Sequence, residues 1–258
     1  MTRVSLQALG QAGFRIAAEG TTLLVDPFLA PRPDRLRPPA VALNALRDVD
    51  AVLVTHEHGD HLDRHALSSI VATSPRAVVV VPAPIVDIAA GCVPAARIVP
   101  AFVDRALAIG GAVVTPVPAR HGVHVSDAYT FGREGGPGRY RFLGYVIAIG
   151  GRRLYHAGDT IRYTGMADRL RRLGIDVAIL PINGRDAARE SRDIVGNLDH
   201  RGAAELAADA GIGVLVPMHY DTIAGNMGDV AALIEYARER HPRLVISPPG
   251  ADGAVALD

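Results

Sequence analysis

Residues 52–61 read VLVTHEHGDH: an apolar, β-branched run that ends abruptly in His56, His58, Asp60 and His61. Val52 to Val54 has the composition of a buried strand, and the polar residues after it show no helical period, so the chain leaves a sheet here and enters a loop. Three of the ten histidines fall within these six positions, with an aspartate between them. Imidazole and carboxylate together form a ligand set that suits Zn, Mn and Fe. A lone histidine is usually structural, whereas a cluster at a strand terminus is the pattern of a metal site. Histidines that merely cap strand and helix ends would not gather at this density.

One such cluster supplies parts of two coordination shells, so further ligands are expected at other strand ends. His121 in PARHGVH, Asp159 in YHAGDT and His219 in PMHYD each follow an apolar run, at 113–118, 154–156 and 214–217. In α/β architectures the loops leaving strand ends are the usual place for sites. His124, three residues after His121, competes with it as a ligand and otherwise faces substrate or solvent. His156 precedes the AGDT turn and is either a supporting or a packed residue, while His65, His200 and His241 read as surface or helix positions.

Working outward, strands are expected at 4–9, 14–18 and 22–25, forming an antiparallel meander, and at 51–54 and 77–81. Helices are expected at 63–72 and, entered through Pro84, at 85–90. Strand character resumes over 97–117 around Gly110-Gly111, and 122–140 reads as a loop near the site. A hairpin at 142–149 and 152–156, a helix at 164–173 and a strand at 176–180 repeat the logic of the first half. A polar segment at 182–200 leads to a helix at 201–210, a strand at 213–217 and a last helix at 229–240. Residues 31–40, with four prolines and three arginines, read as a surface loop.

The chain has 258 residues, 49% hydrophobic and 21% charged, which is globular composition and not that of a disordered chain. Its 27 cations, all arginine, balance 27 acids, so no net field gathers nucleic acid or an anionic membrane. The start, MTRVSLQALG, lacks a basic segment followed by an apolar stretch, and no run approaches the roughly 18 residues of a membrane span. Cys92 stands alone and reads as a buried thiol. These features lead to the expectation of a cytoplasmic protein with a small-molecule substrate, no nucleic-acid or membrane partner, and scope for a homo-oligomer.

The order His-x-His-x-Asp-His at 56–61, a later His121, a later Asp159 and a final His219 resembles the metallo-β-lactamase superfamily over nearly the whole chain. The resemblance implies an α/β fold, a four-layer αβ/βα sandwich, with residues 1–258 as a single domain of two similar halves. It implies that His56, His58 and His121 hold one divalent ion, Zn or Mn, that Asp60, His61 and His219 hold a second, and that Asp159 and a hydroxide bridge them. Asp26 in LLVDPFL sits where the superfamily has an aspartate that orients the metal-binding loop, with His156 as a further supporting residue. A glutamate at position 58 would mark a di-iron redox branch, and His58 there favours hydrolysis. LGQAGF at 9–14, VDPFL at 25–29, HAGDT at 156–160, PINGRD at 181–186 and MHYD at 218–221 look like the L-ascorbate-6-phosphate lactonase group.

The expected activity is therefore opening of a lactone, or cleavage of an ester, in a small polar metabolite. Asp60 and Asp159 serve the chemistry and Tyr220 donates to the oxyanion, while Asn183, Arg185, Asp186 and His124 meet substrate. The alternatives are a phosphodiesterase for a small nucleotide or phospholipid, and a non-catalytic metal-binding protein.

Overall fold

The computed structural model describes residues 3–257. Strands β1 (Ser5–Gly10), β2 (Gly13–Ala18) and β3 (Thr21–Val25) form the antiparallel meander, and β4 (Ala51–Leu53), β5 (Val78–Pro82) and β6 (Ile98–Ala101) extend it in parallel. The second sheet repeats this plan. Here β7 (Leu107–Ile109), β8 (Ala112–Pro118), β9 (Leu143–Ile149) and β10 (Arg152–His156) are antiparallel, and β11 (Val177–Pro181), β12 (Val214–Met218) and β13 (Val245–Ile246) follow in parallel.

Alternation along the strands builds four layers. In β4, Ala51 and Leu53 join a core shared with Tyr145, Ile147 and Leu154 of the second sheet, whereas Val52 faces the other way. There it packs with Leu67 and Ile70 of α1 (Arg64–Thr73) and Ala89 of α2 (Val86–Ala90). On the far side, α3 (Met166–Leu173), α5 (His200–Ala210) and α6 (Val230–Arg240) cover the second sheet through Leu170, Leu206 and Leu233. This is the expected αβ/βα sandwich. Among the described residues no helix is long and apolar enough to cross a membrane.

Several boundaries differ from the sequence expectation for local reasons. Asp63 and Asp229 are not helical but cap α1 and α6, accepting the N–H of Ala66 and Ala232, so both helices start one residue late. The helix expected from 164 starts at Met166, after Gly165 at φ +81°. The polar 182–200 segment contains one helical turn, α4 (Ala187–Glu190). Strand β13 escaped notice because it is two residues long and followed by two prolines. Cys92 is half-buried, and its thiol donates to the Ala89 carbonyl.

Strand direction then sets where the loops go. β1, β3, β4 and β5 run the same way, so the loops after β1, β3 and β4 leave the first sheet at one edge. β8 and β10 run the same way as β11 and β12, so Gly122, Asp159, Asn183 and His219 lie at one edge of the second. Phe14 in β2 lies between the sheets and meets the edge of His156 at 5.8 Å. Phe14→Ala is expected to cost about 3–5 kcal/mol in urea denaturation; a cost below about 1 kcal/mol would show that the two sheets do not share one core.

Candidate metal centre

The loop after β3 and the loop after β4 are joined by Asp26 and Thr55. Asp26 Oδ1 accepts the Thr55 N–H at 2.8 Å, and Asp26 Oδ2 accepts the Thr55 hydroxyl at 2.6 Å. Asp26 Oδ2 also accepts His61 Nδ1–H at 2.7 Å. Asp26 is held at φ +44°, a strained conformation that these bonds over-determine. His61 Nδ1 is thereby committed to Asp26, which turns Nε2 toward Asp159, and that buried Nε2 has no hydrogen-bond partner among the described residues.

The same reasoning sets the other rings. The Thr55 hydroxyl spends its hydrogen on the bond to Asp26, so the His56 Nδ1 lying 3.0 Å away is the donor and the neutral His56 is left with a lone pair on Nε2. His58 Nε2–H donates to the Val123 carbonyl at 3.0 Å, which leaves Nδ1 free. His56 Nε2 and His58 Nδ1 are 3.0 Å apart, and His121 Nε2 is 3.4 Å from His58 Nδ1. Three imidazole nitrogens thus converge from two sheets.

Asp159 lies beside them. Its Oδ2 is 3.6 Å from His121 Nε2 and 3.3 Å from His219 Nε2, and its Oδ1 is 3.3 Å from His61 Nε2. His219 Nε2 is also 3.4 Å from Asp60 Oδ2. The potential ligand atoms form two groups: one from His56, His58, His121 and Asp159, and one from Asp60, His61 and His219, each within 4.8 Å. Gly158 allows this approach. It has φ +59°, and a Cβ there would stand 2.8 Å from the Thr55 side chain.

Burial and charge divide the histidines. Burial pushes His121 down to about 3 and holds His56 well below the usual imidazole range, so both are neutral. Burial acts the same way on His61 and His219, but the carboxylates of Asp159, Asp60 and, for His61, Asp26 overcome it. His219 is lifted to about 9 and His61 well above its ordinary value. In return, burial that would protonate Asp60 and Asp159 is reversed by His61 and His219, and both carboxyls stay well below the usual range.

The remaining expected residues fall around this cluster. His156 is a neutral strut: Nε2–H donates to the Ala12 carbonyl at 2.8 Å and Nδ1 accepts the Gly158 N–H. His121 is in the cluster, while His124, 64% exposed, pairs with Asp193 at 2.7 Å. Asn183 is buried in a chain of amides with Asn226 and Asn197. Arg185 stacks over the Tyr129 ring at 4.8 Å, and Asp186 caps α4 by accepting the Arg189 N–H. Tyr220 lines a cavity of about 100 Å³ with Gln11, Arg37 and Thr222, and burial pushes its phenol up to about 12. Among the described residues, none of His124, Asn183, Arg185 and Asp186 bonds directly to the histidine–aspartate cluster.

Sequence reasoning missed three supports. Thr55 carried no signal beyond its place at a strand end. Arg141 grips Glu57, between the two first histidines, with a fork of 2.7 and 2.6 Å bonds. Gln11 donates to Asp60 Oδ2 at 2.8 Å.

A profile described as a beta-lactamase superfamily domain matches residues 21–220. The chain belongs to that superfamily. A relative from Thermus thermophilus, a UPF0173 metal-dependent hydrolase, is 30% identical over 237 residues that cover 92% of each chain. The family is thus one of metal-dependent hydrolases, and the cluster is of a kind that can hold metal. Igni18, a metallo hydrolase from Ignicoccus hospitalis, superposes with a TM-score of 0.74 at 20% identity over 99% of this chain and 98% of its own. The metallo-beta-lactamase fold protein YhfI from Bacillus subtilis does so with a TM-score of 0.65 at 15% identity over 95% of each. At those identities the two structures share the fold.

The charge pattern predicts how the superfamily member behaves when stripped with chelator. Below pH 6.5 the unfolded chain protonates His56 and His121 while the folded chain keeps them neutral, His121 down to about 3, so stability falls as pH drops. Loss of the depressed Asp60 and Asp159 carboxylates at still lower pH adds to this. Above pH 6.5 the unfolded chain releases protons that the folded chain retains on His61 and on His219, the latter up to about 9, so stability falls again. The thermal midpoint of chelated protein is expected to peak near pH 6.5; a midpoint that climbs steadily to pH 9 would contradict the assignment.

Proposed function

We propose that this protein hydrolyses a lactone, or another ester, in a small polar metabolite, using two divalent ions held in the cluster. One observation carries the reading: three imidazole nitrogens, from His56, His58 and His121, converge at 3.0 and 3.4 Å, beside a buried His61 Nε2 and Asp159 Oδ1 that have no hydrogen-bond partner among the described residues. Lone pairs brought together in a buried site repel unless a positive charge binds them. The donor set, imidazole and carboxylate without sulfur, fits zinc or manganese. His56, His58 and His121 would hold one ion and Asp60, His61 and His219 the other, with Asp159 within reach of both groups. When bound, such a pair of ions activates a water near neutral pH and stabilises the oxyanion formed at a carbonyl or phosphoryl centre.

The chain's own residues supply orientation and proton movement. Asp26 and Thr55 engage Nδ1 of His61 and His56, so that Nε2 is the nitrogen each would offer an ion. Asp60 has a side chain 16% exposed against 5% for Asp159, so we assign to its carboxylate the transfer of a proton from the attacking water to the leaving oxygen. Tyr220, kept protonated by burial, is assigned as a donor to the oxyanion. Arg185 forms no ion pair among the described residues, and we assign it and His124 to substrate at the rim, with Asn183 and Asp186 holding the loop beneath. Preference for a lactone is supported by the phrases LGQAGF, VDPFL, HAGDT, PINGRD and MHYD.

Elemental analysis of gently purified protein, followed by assays on a lactone panel and a bis-aryl phosphodiester, tests this reading. About two equivalents of metal with lactone opening are expected. Phosphodiester cleavage alone, or two metals with no turnover of either class, would contradict it. Asp159→Ala is expected to lower hydrolysis by more than about a hundredfold and to deplete metal, with the circular dichroism spectrum unchanged; retained activity would remove Asp159 from its place between the ions.

A further inference from the structure

Gln11 occupies a position that a hairpin turn alone does not explain. β1 runs with β3 and β4, so Gln11 leaves the sheet at the edge that also carries Asp26 and His56. It is 4% exposed and sits at φ +55°, a region that favours glycine or asparagine over glutamine. Its backbone is tied to the second sheet's last loop: the Gln11 carbonyl accepts the His219 N–H at 2.9 Å, and the Gln11 N–H donates to Thr222 Oγ1 at 2.8 Å. His219 is itself at φ +61°.

The side chain reaches the cluster. Gln11 Nε2 donates to Asp60 Oδ2 at 2.8 Å and lies 3.0 Å from His219 Nε2. Its own Oε1 is buried with no partner among the described residues. An amide that leaves its oxygen unsatisfied in order to present its nitrogen is held there by the bond that nitrogen donates to Asp60, with the His219 ring in contact beside it. Those contacts fall on two side chains of the Asp60, His61 and His219 group, and on none of the His56, His58 and His121 group.

We infer that Gln11 is a positioning residue for the second cation: its amide N–H fixes the Asp60 carboxylate and, with the backbone bond to His219, locks one half of the centre while leaving the other half untouched. The inference rests on the dinuclear reading above. A partner that orients a ligand is worth about 10- to 100-fold in metal affinity, and here the effect falls on one ion of the two. Gln11 also connects the halves of the molecule, since Asp60 belongs to the first and His219 to the second.

The test is a titration of the chelator-stripped full chain with cobalt(II), read by calorimetry and by visible absorption. Gln11→Asn keeps a residue suited to left-handed backbone and withdraws the amide by one methylene; Gln11→Met keeps the length and removes the donor. Both variants are expected to take the first equivalent with wild-type affinity and the second about 10- to 100-fold more weakly, with the visible band of the second equivalent altered. Gln11→Asn is the variant expected to fold if Gln11→Met does not. Two equivalents bound by the variants with wild-type affinity and spectrum would overturn the role of Gln11 alone, as would equal weakening of both. A wild-type protein that takes up one equivalent would overturn the dinuclear reading and the inference with it.

Discussion

Imidazoles whose nitrogens lie 3.0 to 3.4 Å apart, as those of His56, His58 and His121 do, keep one geometry only when their remaining nitrogens or their backbones are tied to something fixed. Thr55 does this for His56, the Val123 carbonyl for His58, and a backbone bridge to Thr130 for His121. Asp26 does it for His61 and, by accepting the Thr55 hydroxyl's hydrogen bond, decides the tautomer of His56 as well. One carboxylate therefore orients rings in both halves of the cluster. Its strained φ of +44° is the backbone's contribution to that arrangement.

The rest of the architecture delivers side chains to this node. Parallel strands in each sheet send β3 and β4 to one edge and β8, β10 and β12 to the other sheet's facing edge, so residues far apart in the chain meet without any long excursion. Tyr145, buried between the sheets, donates to the Val54 carbonyl just before the histidine loop, and Arg141 grips Glu57 within it. Gly158 lets the Asp159 turn pass against Thr55. These contacts hold the loop from three sides, which is why a segment with no secondary structure of its own can present four side chains in register.

Much of this was legible in the amino-acid order. The apolar runs before His56, His121, Asp159 and His219 marked four strand ends, and their polar successors marked the loops, because alternation and burial are local properties. Helix starts were legible to within a residue or two, Asp63 and Asp229 being caps and not first turns. The supports were less so. Gln11 sits between two glycines in what reads as an ordinary hairpin, yet its partner Asp60 is 49 residues away; Arg141 and Glu57 are separated by 84. Hydrogen bonds across such spans leave no local period to read. The same holds for the rim, where 122–140 and 182–200 are shaped by pairs such as His124 with Asp193 and Tyr129 with Glu190.

The central claim is that two ions share this cluster with Asp159 between them. X-ray absorption fine structure at the edge of the bound metal measures that directly. The account predicts a first shell of nitrogen and oxygen alone, imidazole scattering, and a metal–metal vector at about 3.5–4 Å. A sulfur scatterer, or a nitrogen and oxygen shell with no metal neighbour in fully loaded protein, would contradict it.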